Sequence, residues 1–264
     1  MARIQTTHAQ FACINRSRLF AALVSLWLLD TSAQAADARS IRVALFDDKG
    51  ATGKGVPRVT GQLSKAADVK LVKVNGADIA AGVLKDCDVV IFTGGSGSKE
   101  AASVGEKGRE EVRQFVRNGG GYVGICAGAY LACSGFSWGI GVLDAKTVSS
   151  KWQRGVGPVQ IEVTPAGRVV TGLAAQKHEI KYANGPIIQS HEQEKIPDYE
   201  VLAWFRTELA RNGSPEGVMI NSPAIVRGSY GKGRVVSSSP HPEQTDGMEG
   251  FIAHAVRWVA GRTN

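Results

Sequence analysis

After residue 35 the sequence has no long hydrophobic run, and this absence excludes a membrane-spanning helix from most of the chain. A transmembrane helix needs about 20 consecutive apolar residues, and no later segment of the 264-residue sequence reaches that length. We therefore expect the part of the chain beyond residue 35 to be soluble and to make no membrane contact.

Patterns that bind metals or phosphates are missing as well. The four cysteines are not closely paired, and the five histidines lack the spacing of metal ligands. The glycines on either side of Lys54 form too short a motif for a phosphate-binding loop. We therefore expect neither a metal nor a cofactor.

Basic residues are in excess, but they are scattered. The formal net charge is +7, and without residues 1–35 it is +5, from 28 basic and 23 acidic residues. The aromatic residues that accompany basic ones in single-strand binders are absent from these positions. We expect a small-molecule or peptide substrate as the partner, and no nucleic acid. The oligomeric state is not readable from the sequence.

The apolar segment that does occur lies at the N-terminus. Arg16 and Arg18 precede an apolar stretch over residues 19–29, and Ala33-Gln34-Ala35 follows as a small-x-small pattern. A basic start, a short apolar core and a small-residue exit are typical of a secretory signal peptide. We predict that residues 1–35 are a signal peptide and that the mature protein is periplasmic or secreted.

Strand and helix patterns alternate in the first part of the predicted mature chain. This alternation indicates a parallel, doubly wound sheet. The predicted strands are 41–46, 69–74, 88–93 and the segment that leads into Cys126, and the predicted helices are 55–67, 79–84 and 106–118.

Beyond Trp138 the pattern changes to short alternating runs, which are typical of antiparallel strands. Two of these runs are joined by Gly231-Lys232-Gly233, which predicts a hairpin. The predicted strands are 158–163, 200–205, 217–220, 224–230 and 234–238, and an amphipathic helix follows over 246–260. We expect one α/β domain over residues 40–262, with a mainly parallel central sheet and added antiparallel strands in the C-terminal half.

The stretch Gly124-Ile125-Cys126-Ala127-Gly128 lies between the fourth predicted strand and a helix predicted through Ala132. It has the spacing of a nucleophile elbow, in which glycines let a sharp turn pass without steric clash. A cysteine at the start of a helix is favoured as the thiolate. We predict Cys126 as the nucleophile and the amide of Ala127 as an oxyanion donor, with a second donor from Gly94-Gly95 at the end of the third predicted strand.

His241 is the histidine best suited to act as the base. It follows the predicted strand 234–238 closely, and Pro240 and Pro242 restrict its backbone on both sides. Glu243 comes two residues later and can orient the ring and stabilise its protonated form. These residues predict a Cys-His-Glu triad with Cys126.

The elbow at Cys126 and the downstream His241-Pro242-Glu243 together resemble the class I glutamine amidotransferase superfamily. Within it, residues 126–130 and Tyr182-Ala183-Asn184-Gly185-Pro186 resemble the branch named for the biotin–protein ligase N-terminal domain. The resemblance implies a flavodoxin-like three-layer sandwich. It also implies that Cys126 is the nucleophile, His241 the base and Glu243 the orienting residue, and that the amides of Gly95 and Ala127 are the oxyanion donors.

One position departs from the glutamine-using members of that superfamily. They carry a substrate-holding glutamine four residues after the cysteine, where this sequence has Tyr130. The sequence also shows neither a synthetase domain that would use ammonia nor a biotin ligase catalytic domain. We therefore expect an amidotransferase-like hydrolase whose substrate is an amide or acyl compound, and the sequence does not identify that substrate.

Two other interpretations stay open. Tyr130 favours a catalytically inactive pseudoenzyme that binds a small ligand or partner. Asp47 or Asp48, after the first strand, would suit the related protease and glyoxalase branch, although His-Pro-Glu argues against it. The residues that we expect to shape a pocket are Asp47, Asp48, Tyr130, Trp152, Arg154, Asn184 and His191.

The predicted mature chain has three cysteines, so at least one thiol stays unpaired. In a regular helix Cys126 and Cys133 are about 10.5 Å apart along the axis, beyond the roughly 7 Å limit for a disulfide. We expect Cys87 and Cys133 to be two buried free thiols. A disulfide between them is the alternative. Both cases leave Cys126 free.

Overall fold

The computed structural model describes residues 39–149 and 151–262, so the predicted signal peptide lies outside the described residues. The strands are β1 (Ile41–Phe46), β2 (Val69–Val74), β3 (Val89–Phe92), β4 (Gly121–Ile125), β5 (Ala145–Thr147), β6 (Val156–Val163), β7 (Lys177–Ala183), β8 (Ile188–Ser190), β9 (Glu200–Phe205), β10 (Pro223–Tyr230) and β11 (Gly233–Ser238). The helices are α1 (Gly55–Leu63), α2 (Gly76–Ala80), α3 (Gly97–Arg117), α4 (Ala127–Ala132), α5 (Pro165–Thr171) and α6 (Phe251–Val259). Within this described part, no helix has both the length and the apolar character needed to cross a bilayer.

The main sheet has a parallel half and an antiparallel half. Its nine strands are ordered β2-β1-β3-β4-β11-β10-β9-β6-β7. Neighbours from β2 to β11 are parallel, and neighbours from β11 to β7 are antiparallel. The parallel half has the 2-1-3-4-5 order of flavodoxin-like folds, with β11 in the fifth place. The predicted α/β fold, with antiparallel strands added in the C-terminal half, is confirmed.

Two apolar cores lie on opposite faces of the sheet because side chains alternate along each strand. In β1, Val43 and Leu45 belong to one core, and Ala44 and Phe46 belong to the other. Helices α1, α5 and α6 cover the first core, and α2, α3 and α4 cover the second. Residues from Ser40 onward form one compact unit with this three-layer architecture.

Most predicted elements agree with the structure, and their ends differ for local reasons. β1, β2 and β9 have the predicted bounds, and β10 and β11 form the predicted hairpin. Helix α3 is kinked at Gly105 (φ 70°, ψ 171°), where the backbone leaves the helical region; the segment after this kink agrees with the helix predicted from residue 106, and the segment before it, from Gly97, was not predicted. Helix α6 begins at Phe251, after a loop, rather than at residue 246.

One predicted strand is wrong, and four elements were not predicted. Residues 217–220 form turns, in which Gly217 has a φ of 76° and its amide donates to the Glu208 carboxylate. The elements that escaped prediction are β5, α5, β7 and β8. Polar residues such as His178 made β7 resemble a loop, but β7 is an edge strand, where polar side chains face solvent.

Two helical glycines differ sharply in the space available for a side chain. A Cβ on Gly128 in α4 would lie 2.2 Å from the carbonyl oxygen of Phe92, whereas a Cβ on Gly61 in α1 would meet nothing within 4 Å. We predict that Gly128→Ala lowers the free energy of unfolding by about 2–3 kcal/mol through overpacking. Gly61→Ala should instead raise it, by up to about 1 kcal/mol, through helix propensity. Chemical denaturation of both variants measures the difference, and equal stabilities would contradict close packing beneath the elbow.

Candidate active site

Three adjacent parallel strands bring the predicted site residues to one edge of the sheet. β3 leads into Gly94-Gly95, β4 leads directly into Cys126, and β11 leads toward His241. Because β3, β4 and β11 are neighbours in the sheet, their carboxyl ends lie side by side. Residues that are distant in sequence therefore meet there.

The backbone at Cys126 makes the sharp turn that the sequence predicts. Cys126 has φ 53° and ψ −98°, a conformation that is uncommon and strained for a residue with a side chain. Its amide donates to the Ser238 carbonyl oxygen at 2.8 Å, which ties the turn to β11. A Cβ on Gly124 would lie 2.5 Å from the Gly128 carbonyl oxygen. The two glycines thus allow the chain to pass closely on both sides of the cysteine.

His241 is held in one orientation by its neighbours. Its backbone amide donates to the Lys181 carbonyl oxygen at 2.7 Å, and its Nδ1 lies 2.8 Å from Glu243 Oε1. Both side chains are buried. Gln244 Nε2 donates to the same Glu243 oxygen at 2.9 Å. With Nδ1 engaged by the carboxylate, Nε2 is the nitrogen available to another group.

The thiol of Cys126 and the ring of His241 interact. Burial lowers the pKa of His241, but hydrogen bonding and charge from Cys126 and Glu243 outweigh burial and raise that pKa from 6.5 to about 10. The ring is therefore protonated at neutral pH. Cys126 Sγ also directs a hydrogen bond to the Ala183 carbonyl oxygen at 3.3 Å. The sulfur of Cys126 thus lies between the His241 ring and a backbone carbonyl oxygen.

The backbone amides of Gly95 and Ala127 have no hydrogen-bond acceptor within the described part of the chain. Gly95 lines a cavity together with Cys126, and Ala127 follows the cysteine at the start of α4. Among the hydrogen bonds formed within residues 39–149 and 151–262, neither amide donates to a partner. A Cβ on Gly95 would lie 1.9 Å from the Gly50 carbonyl oxygen, so only glycine fits there.

A cavity of about 330 Å³ opens beside the cysteine. Its wall is partly aromatic, with Tyr130 and Phe136 ring centroids 5.9 Å apart and Phe136 and Trp138 centroids 4.6 Å apart. Tyr130 Oη donates to the Asn184 carbonyl oxygen at 3.1 Å. The lining residues are Gly95, Ser96, Gly97, Ser98, Cys126, Tyr130, Phe136, Trp138, Thr147, Ser149, Trp152, Ala183 and Asn184.

Asp47 and Asp48 lie outside this cavity. The Asp47 carboxylate pairs with Lys73 at 3.0 Å. The Asp48 carboxylate accepts hydrogen bonds from the hydroxyl of Ser103 at 2.7 Å and from the amide of Gly76 at 3.1 Å. Neither lines the cavity with the thiol, so the acidic group of the protease and glyoxalase branch has no counterpart at this site.

The other predicted pocket residues divide into two groups. Trp152 and Asn184 line the cavity, as Tyr130 does. His191 instead pairs with the hydroxyl of Ser134 at 2.9 Å, and Arg154 is buried and does not line the cavity.

Four contributors were not predicted. Gln244 supports the His–Glu pair, and its position next to Glu243 was a usable signal. Phe136 and Trp138 form the aromatic wall, and their place soon after the elbow helix was another such signal. Ala183 accepts the hydrogen bond of Cys126 through its backbone carbonyl oxygen. Every residue has such an oxygen, so the sequence carries no signal for this contact.

The remaining described cysteines are buried, and neither forms a disulfide. Cys133 Sγ donates to the Ala129 carbonyl oxygen at 3.2 Å, and burial raises the pKa of Cys133 to about 12. Burial also raises the pKa of Cys87. Cys126 is therefore the described cysteine that lies beside a charged imidazole and faces a cavity.

Sequence comparison finds a family match in the first part of the domain. The model of the family "Biotin-protein ligase, N terminal" matches residues 41–153. An uncharacterized protein of Chlamydia muridarum (strain MoPn / Nigg) is 28% identical over 102 residues, which make up 37% of this chain and 39% of that protein. The matched segment thus spans less than half of the length of this relative.

Solved structures share the fold over most of both chains. A glutamine amidotransferase matches with a TM-score of 0.57 and 20% identity, over 83% of this chain and 98% of its own. PurLQS from Thermotoga maritima matches with a TM-score of 0.59 and 18% identity, over 84% of this chain and 97% of its own. A putative ThuA-like protein from Bacteroides uniformis ATCC 8492 matches with a TM-score of 0.56 and 20% identity, over 86% of this chain and 94% of its own. At these identities the likeness shows the fold alone.

The charged state of His241 gives a test of thiol reactivity. Because the pKa of the ring is raised to about 10, the ring keeps its charge at pH 6 and loses it as the pH rises through about 10. An unperturbed thiol is less than about 1% ionised at pH 6. We predict that His241→Ala slows iodoacetamide alkylation of Cys126 at pH 6 on the order of 10²-fold, with a smaller effect at pH 9.

Mass spectrometry of the alkylated Cys126 peptide measures these rates. His178→Ala is the matched control, because His178 lies on the exposed edge strand β7 and should leave the rate unchanged. Equal rates at pH 6 in the wild type and in His241→Ala would show that the imidazole does not activate the thiol.

Proposed function

We propose that this chain, which has a class I glutamine amidotransferase-like fold of the biotin–protein ligase N-terminal-like branch, is a cysteine-dependent hydrolase. Its substrate is an amide or a related acyl compound, and Cys126 carries the acyl group during the reaction. The observation that carries this conclusion is the interaction of the Cys126 thiol with the His241–Glu243 pair at the adjacent ends of β4 and β11.

The first half of the reaction forms a thioester. His241 takes the proton of Cys126, and the thiolate attacks the acyl carbon of the substrate. The carbonyl oxygen becomes an oxyanion, which accepts hydrogen bonds from the Gly95 and Ala127 amides. The carbon–nitrogen bond then breaks as His241 gives its proton to the leaving amine.

The second half releases the acid and restores the thiol. Water replaces the amine beside His241, which takes a proton from that water as it attacks the thioester. The carbon–sulfur bond breaks, and His241 returns the proton to the Cys126 sulfur. Glu243 holds Nδ1 of the ring throughout, so that Nε2 faces the reacting atoms, and it stabilises the imidazolium.

This mechanism predicts distinct effects for two variants. Cys126→Ser should abolish turnover, and Glu243→Gln should lower kcat by about 10²–10⁴-fold, because the ring loses its orienting charge. A screen of amides, peptides and acyl esters supplies the substrate, and mass spectrometry should detect an acyl adduct on the Cys126 peptide. Cys87→Ala is the matched control and should keep full activity. Full activity in Cys126→Ser would refute a covalent role for this sulfur.

A ligand-binding pseudoenzyme is the second candidate. It is favoured by the hydrogen bond that Cys126 Sγ donates to the Ala183 carbonyl oxygen, because this bond directs the thiol proton away from the His241 ring. In that case ligands would bind to the cavity, and no member of the screen would form an acyl adduct. Iodoacetamide would also alkylate Cys126 as fast in His241→Ala as in the wild type.

We also propose that the enzyme is exported, on the basis of the signal-peptide pattern in residues 1–35. The mature protein should begin near Ala36 and should be found in the periplasm or the medium. N-terminal peptide mass spectrometry of fractionated cells measures this. A double variant with arginine in place of Leu23 and Leu26 should stay in the cytoplasm with an intact N-terminus. An intact N-terminus in the wild-type protein would contradict cleavage.

A further inference from the structure

We infer that the cavity beside Cys126 selects uncharged substrates whose acyl group carries an aromatic ring, and that it rejects free amino acids such as glutamine. The inference rests on the proposed function of the same site, because it names the substrate class for that thiol. It follows from three properties of the cavity: its aromatic wall, its lack of charge and its size.

The aromatic wall is built by rings that fix one another. Trp138 and Phe136 are stacked, with centroids 4.6 Å apart and planes inclined by 26°, and Tyr130 packs against Phe136. Trp138 also lies over the first turn of α3, since a Cβ on Gly97 would come within 3.2 Å of its Cη2 atom. A wall held in this way offers a preformed surface to a flat apolar group.

Trp152 extends this apolar surface to the solvent. It lines the same cavity and is 54% exposed, although it is one of the largest apolar side chains. A large apolar side chain that is left in water beside a cavity is a feature of ligand-binding grooves. A bound ring would remove part of this surface from water.

Among the described residues, the cavity lining has no acidic or basic side chain. None of the thirteen lining residues is a lysine, arginine, histidine, aspartate or glutamate. The buried His241 ring next to Cys126 is charged but does not line the cavity. The ammonium and carboxylate of free glutamine would therefore lose their hydration in the cavity without a charged lining side chain opposite either group, which is unfavourable. An uncharged acyl group avoids this cost.

Arg154 is a buried cation that could pair with a substrate carboxylate if it reached the cavity. It is 1% exposed, its Nη2 donates to the Pro215 carbonyl oxygen at 2.9 Å, and it lies 3.6 Å from Glu208. Its Nε and Nη1 groups have no hydrogen-bond partner within the described residues. Because Arg154 does not line the cavity, we assign it no substrate contact, and the substrate series below includes a carboxylate to test this assignment.

The polar part of the lining is neutral and suits an amide. Ser96, Ser98, Thr147 and Ser149 contribute hydroxyl groups, which can donate to or accept from an uncharged ligand. A volume of about 330 Å³ is at the small end of ligand pockets. One ring on a short linker fits this description better than an extended peptide does.

Four primary amides test the inference through one readout, the release of ammonia. They are 3-phenylpropanamide, hexanamide, succinamate and L-glutamine. We expect kcat/KM for the phenyl compound to exceed that for hexanamide about tenfold, through the ring contacts. We expect it to exceed the values for succinamate and glutamine on the order of 10²-fold, because these carry charge. Equal or higher values for either charged amide would overturn the inference and leave the proposed hydrolase intact.

Two tryptophan variants locate the preference in the wall. Trp138→Ala should lower the ratio of kcat/KM for 3-phenylpropanamide to kcat/KM for hexanamide to near one. Trp204→Ala is the matched control, because Trp204 is a partly exposed tryptophan of β9 that does not line the cavity. An unchanged ratio in Trp138→Ala would contradict selection by this wall.

A binding measurement separates the inference from the proposed chemistry. Calorimetric titration of Cys126→Ser with the same four amides requires no turnover. Tighter binding of 3-phenylpropanamide than of the other three supports the selective cavity, even if the wild type hydrolyses none of them, and in that case only the proposed function fails. No binding of 3-phenylpropanamide, or tighter binding of glutamine or succinamate, would overturn the inference.

Discussion

The pairing of β4 with β11 is the constraint on which the site depends. Val123 pairs with Val236 and Ile125 with Ser238, in parallel, and the Cys126 amide continues this register by donating to Ser238. A shift of one residue would turn every side chain of a strand to the opposite face. The buried valines and isoleucine that fix the register therefore also fix the distance between a sulfur and a ring that lie more than a hundred residues apart in sequence.

The pairing of β4 with β11 gives the Cys126 thiol a stronger electrostatic neighbour than the elbow helix does. The sequence predicts a helix N-terminus behind Cys126, and α4 does begin at Ala127, but it is six residues long. A helix this short has few aligned peptide dipoles, whereas the His241 imidazolium carries a full charge. The elbow's contribution is geometric. It holds Cys126 in a strained conformation, which costs on the order of 1–3 kcal/mol, and close packing of Gly128 together with the hydrogen bond from Tyr122 Oη offsets that cost.

The parts of the fold and site that the sequence predicted are those whose signal is local. β1 and β2 show apolar residues at strand spacing, and the elbow and the His-Pro-Glu segment carry their chemistry in a few adjacent side chains. The first half of α3 was hidden because Gly105 interrupts the periodicity. The Ala183 contact was hidden because a backbone oxygen has no residue signature and because β7 reaches the thiol only through the long-range order of the sheet. Prediction ended where a contact depended on tertiary structure rather than on residue type.

The parallel and antiparallel halves of the sheet position different parts of the site. The parallel half positions the Cys126 thiol, the His241 ring and the amides of Gly95 and Ala127 at the ends of β3, β4 and β11. The antiparallel half bends back so that Lys181 of β7 accepts a hydrogen bond from the His241 amide and donates from its Nζ to Gln244 Oε1 at 2.6 Å. The segment after β7 then forms one wall of the cavity, and the loop that carries Trp138 forms another. Because those walls lie outside the parallel half, their side chains can change without altering the register that aligns Cys126 with His241.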